Sequence, residues 1–564
     1  SLYDPNGSFQ SINRRYDIVY GDVMLNFNYN INRFDIAATV GWTGRYENMN
    51  NIRVSTNGGL VTENWFDLNA SRYTPSSTLQ RMELLKTGYM GTLSLGWDNY
   101  LFLELTGRQE RSSTLKDQSF FYPSANLSFL FTQAFHMPSW WNYGKLRLSY
   151  GIVGNAPETY TANIVYEQGS DNGFTWNTIP SSWGNADIRP EKKYEYEIGL
   201  ESKFLNNRLG IDVSYYNNRV KDQILSTPQP STSGVKNVLM NVGEVANHGW
   251  DISISATPIL TRDFRWDLTA NYGVYKNKVV KLADGVPYLE ILNSGGSGIK
   301  IQAVEGQPMG DIYAQVPQVN ENGEYLVSDK GLYLNQTELQ KVGNINPAGV
   351  GGLFNSFSYK NVFLDFSIDF RIGGDVINEM NQYATAVGLT PESLKYRDTE
   401  HGGLSYYYPG DNNSSGIPVQ VDPSTGAGPN GEIIYHDGII LPGVVASTGE
   451  RNTRIIPAGY YYNTTYNWGT EAEQLTYRHS VFDNSYVKLR ELTIGYQFPE
   501  KMISKLGLGR LSVSVFGRNL FYFYKALKNY DAESSVGTSW ANQATVGSST
   551  TATRSFGVSL RASF

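Results

Sequence analysis

Five histidines are the first place to look for chemistry: His136, His248, His401, His436 and His479. None sits in a His-Glu-x-x-His arrangement or beside an obvious nucleophile, so neither a metalloprotease helix nor a nucleophile–base pair is spelled out. The run Gly295-Gly296-Ser297-Gly298 lacks the lysine and spacing of a phosphate-binding loop and reads as a flexible connection. Asn320-Glu321-Asn322-Gly323-Glu324 and Asp411-Asn412-Asn413 resemble calcium loops, but the terminal bidentate acid is missing and turn chemistry is the better reading. The chain has no cysteine, which removes disulfides and thiolate metal sites. No catalytic constellation, cofactor site or metal site is expected. What the chain does offer is aromatic side chains able to stack on sugars or meet peptide side chains. These are Trp65, Phe66, Trp176, Trp183, Tyr406, Tyr407, Tyr408, Tyr460, Tyr461, Tyr462, Trp468 and Trp540.

The elements that position them repeat with period 2. Val362, Leu364, Phe366, Ile368 and Phe370 alternate with Asp365, Ser367, Asp369 and Arg371. Tyr194, Tyr196, Ile198 and Leu200 alternate with Glu195, Glu197 and Glu201; Trp250-Asp251-Ile252-Ser253-Ile254-Ser255-Ala256 does the same. Such alternation marks strands with one apolar and one polar face. About fifteen runs of membrane-spanning length follow, at 18–30, 34–46, 84–97, 100–112, 123–135, 144–154, 191–204, 208–222, 243–257, 265–280, 350–360, 361–375, 484–498, 509–524 and 553–564. No run of 18 apolar residues could cross a bilayer as a helix.

The connections alternate in length. Asn30-Ile31-Asn32-Arg33, Trp97-Asp98-Asn99-Tyr100, Leu205-Asn206-Asn207-Arg208 and Tyr359-Lys360-Asn361 are tight, whereas 47–83, 155–190, 223–242, 281–349, 376–483 and 525–552 are long. Outer-membrane barrels show this asymmetry, with short periplasmic turns and long extracellular loops. Tyr29, Phe34, Trp97, Tyr100, Trp266 and Phe498 gather at the tight-turn end, as a headgroup-level girdle would. Aromatics at 13% and charged residues at only 18% suit a wall with one lipid face, and the net charge of −7 argues against nucleic acid. The expected fold is therefore an all-β transmembrane antiparallel barrel in contact with membrane lipid. The polar faces put Glu197, Glu201, Asp212, Asp251, Asp365, Asp369, Arg371, Glu491 and Arg518 on the lumen side, where bonding within the wall or to a plug is the first expectation and substrate contact the second.

Phe556, Val558, Leu560, Ala562 and Phe564 share a face, and a last strand ending on an aromatic resembles an outer-membrane insertion signal. It sets the direction: the last strand ends in the periplasm, so an odd count makes 18–30 run downward from an extracellular loop. No signal peptide opens the sequence. An odd set of strands cannot close on itself, so further strands are expected from another segment.

Several phrases together resemble one family. They are Thr106-Gly107-Arg108, Ser112-Ser113-Thr114-Leu115, Phe121-Tyr122-Pro123-Ser124, Tyr143 to Gly151, Arg189-Pro190-Glu191-Lys192, Asn241-Val242-Gly243-Glu244 with Asn247-His248-Gly249, Ser485 to Leu492 with Gly495-Tyr496, and Gly517-Arg518-Asn519-Leu520-Phe521. The chain looks like the C-terminal part of a SusC/RagA-type TonB-dependent outer-membrane transporter of Bacteroidetes. Gln109-Glu110-Arg111 departs from the family's usual triplet. The resemblance implies about fifteen strands of a 22-stranded barrel, with the N-terminal plug, the early strands and the TonB-contacting segment outside residues 1–564. It also implies a SusD-like surface lipoprotein as lid and TonB-driven import of an oligosaccharide or oligopeptide. A siderophore receptor, a passive porin and a structural or adhesive surface barrel are the alternatives.

Overall fold

The computed structural model describes residues 6–116, 119–171, 174–229, 232, 234–294, 298–410, 416–467, 476–534, 539–547 and 552–563. Trp468, Asp411-Asn412-Asn413, Gly295-Gly296-Ser297 and Phe564 lie outside them. The chain divides into two compact units: residues 1–207, 212–248 and 279–286, and residues 208–211, 249–278 and 287–564.

In the first unit, long strands pair antiparallel in chain order: β1 (Gln10–Ile31), β2 (Phe34–Leu60), β3 (Ser71–Trp97), β4 (Leu101–Ser112), β5 (Ser119–Phe129), β6 (Trp141–Asn155), β7 (Glu191–Phe204), β8 (Leu209–Pro228) and the first half of β9 (Asn237–Leu260). The second unit continues from the other half of β9 through β10 (Phe264–Lys281), β11 (Gly349–Tyr359), β12 (Val362–Ile372), β13 (Tyr486–Gln497), β14 (Arg510–Lys525) and β15 (Ser555–Ser563). Fifteen wall strands thus stand where the sequence pattern places them. Among the described residues β1 pairs only with β2, and β15 only with β14.

Alternation explains the two faces. On β1, Val19, Val23, Leu25, Phe27, Tyr29 and Ile31 lie on one face and are 45–72% exposed. Directly opposed on β2 and β3 are Val40 with Gly91, Ala38 with Leu93, Ile36 with Leu95 and Phe34 with Trp97. So many bare apolar side chains in one face suit lipid and not water. The tight ends are made by residues that tolerate positive φ: Asn32, Asp98, Asn99, Asn206 and Asn207 lie between +51° and +61°.

Three expected boundaries need correction. The stretch 47–83 is not a loop: β2 and β3 stay paired out to Leu60 and Ser71, leaving a connection of residues 61–70. Both faces there carry polar residues such as Asn48, Asn50, Asn51, Ser76, Gln80 and Arg81. Backbone pairing continues past the lipid, but the apolar alternation that reveals a strand does not. Likewise 223–242 is mostly strand, with β8 reaching Pro228 and β9 starting at Asn237. The end of the expected strand 123–135 is instead a short helix, Phe131–Ala134.

The remaining long connections are structured. Residues 156–190 hold a hairpin, Glu167–Asp171 with Phe174–Thr178, and a short strand Ser182–Trp183 that pairs in parallel with Asn237–Val238. Between β10 and β11 a small antiparallel sheet forms from Tyr288–Ser294, Ile299–Val304, Asp311–Ala314 and Gln340–Asn344. Between β12 and β13 lie the helices Glu379–Ala386 and Ala458–Tyr466 and a sheet of Val419–Gln420, Leu404–Tyr407, Tyr435–Ile439 and Ile456–Pro457.

Candidate functional site at the long-connection end

Three connections of the second unit share one core. Ile299, Ile301, Ile312, Ala314 and Ile345 come from the β10–β11 connection, Ile377, Tyr477 and Val481 from β12–β13, and Ala541 and Ala544 from β14–β15. Backbone bonds knit them: Arg478 N–H donates to Gln315 O (3.1 Å) and Val546 N–H to Ile377 O (2.8 Å). A Cβ at Gly298 would clash with the Tyr477 ring, so this close approach needs glycine. Connections long enough to be mobile are instead held by burial.

Most of the candidate tyrosines pack in smaller clusters of the β12–β13 connection, Tyr406 and Tyr408 with Ile455 and Tyr461 against Leu332, Ile439, Leu441 and Ile456, and so are not open to cargo or lid. Tyr406 is 1% exposed and stacks on Tyr435 (centroids 5.5 Å), with its hydroxyl donating to Asp437 (3.1 Å). Burial pushes the Tyr406 hydroxyl far above its ordinary value, and Asp437 adds to the shift. Tyr408 is buried beside it, and Tyr407 is partly covered. Tyr462 is buried and donates to Glu392 O (2.8 Å); burial, then the neighbouring Tyr466, push it up to about 12. Tyr461 is partly covered and packs on Tyr462 and Tyr466. Tyr460 and Trp540 remain open at 36% and 37%. In the first unit Trp65 (49%) and Phe66 (59%) stand in the connection at the end of the β2–β3 hairpin. Trp176 (46%) lies opposite Gly169, and Trp183 meets Tyr166 edge-on at 5.7 Å.

His479 stacks on Tyr466 (4.4 Å, 19°). Burial lowers its pKa to about 4, and the adjacent Arg478 charge acts the same way. The folded chain therefore resists protonating an imidazole that the unfolded chain protonates near 6.5. Stability is full above about pH 6.5 and falls as pH drops toward 4, by at most ~3 kcal/mol. Hydrogen exchange of residues 476–483 should accelerate over that window, and His479→Phe should flatten the response.

Most of the expected lumen charges are held in bonds along the polar face. In the first unit Arg147 donates to Asp212 (2.7 and 3.2 Å) and lies 3.6 Å from Glu201; Glu197 faces Ser149 on the same side. In the second unit Ser356 donates to Asp365 (2.6 Å), Arg371 to the carbonyls of Gly373 and Ile345, Arg490 to Asp369 (2.5 Å) and Arg518 to Glu491 (3.0 Å). Asp251 lies beside Gly273, whose Cβ would be 3.1 Å from its Oδ1.

Sequence reading missed Lys488, Arg490 and Glu533. The ladders of β13 with β12 and β14 shift register at Arg490. This β-bulge lets consecutive Arg490 and Glu491 both bond on the polar side, which strict alternation forbids. Lys488 is 2% exposed, sits 4.8 Å over the Tyr522 ring and bonds Glu533 at 2.5 Å; Glu533 also accepts from Arg490. Burial alone would raise Glu533, but hydrogen bonds from Arg490 and Lys488 outweigh it and hold its carboxyl at about 2. The run Lys488-Leu489-Arg490 was the available signal.

Asn320 accepts from the N–H groups of Asn322 and Glu324 and donates to the Glu324 carboxylate, a self-satisfied turn. His401 bonds Asp398 and His436 bonds Ser405. Among the described residues no group of three or more His, Cys, Asp or Glu side chains could hold a metal ion.

Residues 1–312 match the family model described as TonB dependent receptor-like, beta-barrel. A TonB-dependent receptor of Formosa agariphila is 24% identical over 494 residues, covering 80% of this chain and 42% of the relative. The TonB-dependent receptor SusC of Bacteroides thetaiotaomicron is 30% identical over 247 residues, covering 40% of this chain and 24% of SusC. Among solved structures, the RagAB peptide transporter superposes with a TM-score of 0.64 at 18% identity, over 91% of this chain and 53% of that one. The chain thus spans about half, or less, of the length of the proteins it matches.

Proposed function

The chain belongs to the TonB dependent receptor-like β-barrel family, and from that premise we propose that it forms part of the wall and loops of an outer-membrane importer of oligomeric nutrient, glycan or peptide. The observation that carries the reading is the combination of a fifteen-strand antiparallel wall with long connections folded around their own core. A binding site offered to the outside needs a rigid scaffold under its contact residues.

In this reading the long-connection end is extracellular and the tight turns are periplasmic. A plug, a TonB-contacting segment and the strands that complete the wall come from the longer protein. Among the described residues β1 and β15 each pair on one side only, which supports this, because unpaired backbone in lipid costs several kcal/mol per group. A SusD-like surface lipoprotein is the lid in this reading; Trp65, Phe66 and Trp176 of the first unit, and Tyr460 and Trp540 of the second, are each exposed enough to meet cargo or lid. The paired wall charges are structural first. No step of covalent chemistry is involved: cargo binds, the lid closes and energy transmitted through TonB moves the plug.

A strain lacking the intact protein, grown on single glycans or peptides, tests this reading. Import predicts a growth defect on one class of nutrient, restored by the wild-type gene. An adhesive or structural barrel predicts equal growth on all of them.

A further inference from the structure

We infer that the outer face at the top of β7 and β8 binds the phosphate of an anionic lipid headgroup, through Lys192, Lys221 and Tyr194. This rests on the reading of the strands as a membrane wall. On β7, Tyr194, Tyr196, Ile198, Leu200 and Phe204 share the apolar face, with Tyr196, Ile198 and Leu200 at 43–47% exposure. Tyr194 and Phe204 are ten residue steps apart, which is about 33 Å along a strand and about 25 Å in height at the usual tilt of roughly 40°. That height equals the apolar band of a membrane barrel, so Tyr194 stands at its upper rim.

Immediately beyond the rim the same face becomes cationic. Lys192 lies two residues above Tyr194, and the Lys221 ammonium is 5.9 Å from the Tyr194 ring centre. Arg219 is also there, but Glu244 at 3.3 Å neutralises it. Lys192 and Lys221 have no carboxylate within ion-pair distance among the described residues. Two unneutralised ammonium groups beside a tyrosine at headgroup height match a phosphate diester or monoester that the membrane itself presents. The opposite side of β7 offers no such site: Lys193 there is paired with Glu195 at 2.6 Å. The equivalent rim on β1–β3 also differs, because Asp17 and Glu83 are interleaved with Arg15 and Arg81 and Arg15 is bound to Asp17.

The test uses the full-length protein in vesicles that mix phosphatidylglycerol with phosphatidylcholine. Lipid retained after detergent extraction is counted by mass spectrometry. The wild type should retain phosphatidylglycerol preferentially. Replacing both lysines (Lys192→Gln with Lys221→Gln) should cut that preference roughly ten- to thirty-fold. Each single variant should lose part of it, which keeps the test open if the double variant does not insert. Equal retention by wild type and all three variants overturns the site. Displacement of the lipid by millimolar inorganic phosphate overturns the headgroup assignment in favour of free phosphate. A wild type that enters vesicles of neither lipid contradicts the wall itself, a different failure from loss of preference.

Discussion

Glu533→Ala is expected to free the connection after β14 from the polar face of the wall, at a cost of about 3–5 kcal/mol. The size follows from what is left behind. Lys488 is almost fully buried and has its carboxylate partner only 2.5 Å away. Without Glu533 that ammonium stays desolvated and uncompensated, and Arg490 keeps Asp369 and Asn519 as its polar partners among the described residues. Removing one member of a buried pair costs far more than the pair contributes, because the remaining charge cannot return to water. Hydrogen exchange of residues 526–534 should rise sharply in the variant while β13 and β14 stay protected. Replacing both partners with apolar residues (Lys488→Met with Glu533→Leu) should recover most of the loss. Because the folded carboxyl is held at about 2, its stabilisation is full above the ordinary glutamate value near 4.3, declines progressively below it and is gone once pH has fallen through about 2. The His479 response therefore precedes it on acidification, and the two are separable by pH.

Ile312→Ala is the second large effect. Ile312 is fully buried in the core that three connections share. Truncation of such a side chain removes its transfer free energy and leaves a cavity, about 2–5 kcal/mol in sum. The loss should not stay local. Ile377 and Val481 in the second connection, and Ala541 and Ala544 in the third, pack in the same cluster. Proteolysis should cut all three connections faster, with the wall strands unaffected. Cutting confined to residues 282–348 would mean that the three connections fold independently.

The wall was legible because lipid imposes a simple code. Val362 to Phe370 alternate so strictly that strand, face and length follow at once, and β12 appears at Val362–Ile372. Where that selection stops, the code stops. Residues 47–60 and 71–83 are strand held by ladder bonds and a few polar side-chain bonds such as Ser55 with Ser76, and their asparagines and serines read as loop. The loop tyrosines were misjudged for a related reason. A cluster such as Tyr406-Tyr407-Tyr408 has no period that distinguishes a core from a surface, and here Tyr406 and Tyr408 are interior. The Lys488–Glu533 contact joins residues 45 apart and depends on a bulge at Arg490, which no alternation announces. The wall charges Asp212, Asp369 and Glu491 were found by face, but their partners were not, because cross-strand register is set by turns and bulges.

An energised importer takes up its cargo only while the proton-motive force and the TonB system are present. The most direct measurement is uptake of the labelled nutrient whose growth defect identifies it, by cells carrying the intact protein, with and without a protonophore. Saturable uptake that collapses when the proton-motive force is removed or the TonB system is deleted is the expected result. Uptake that continues undiminished in both cases would contradict it and make the protein a passive pore.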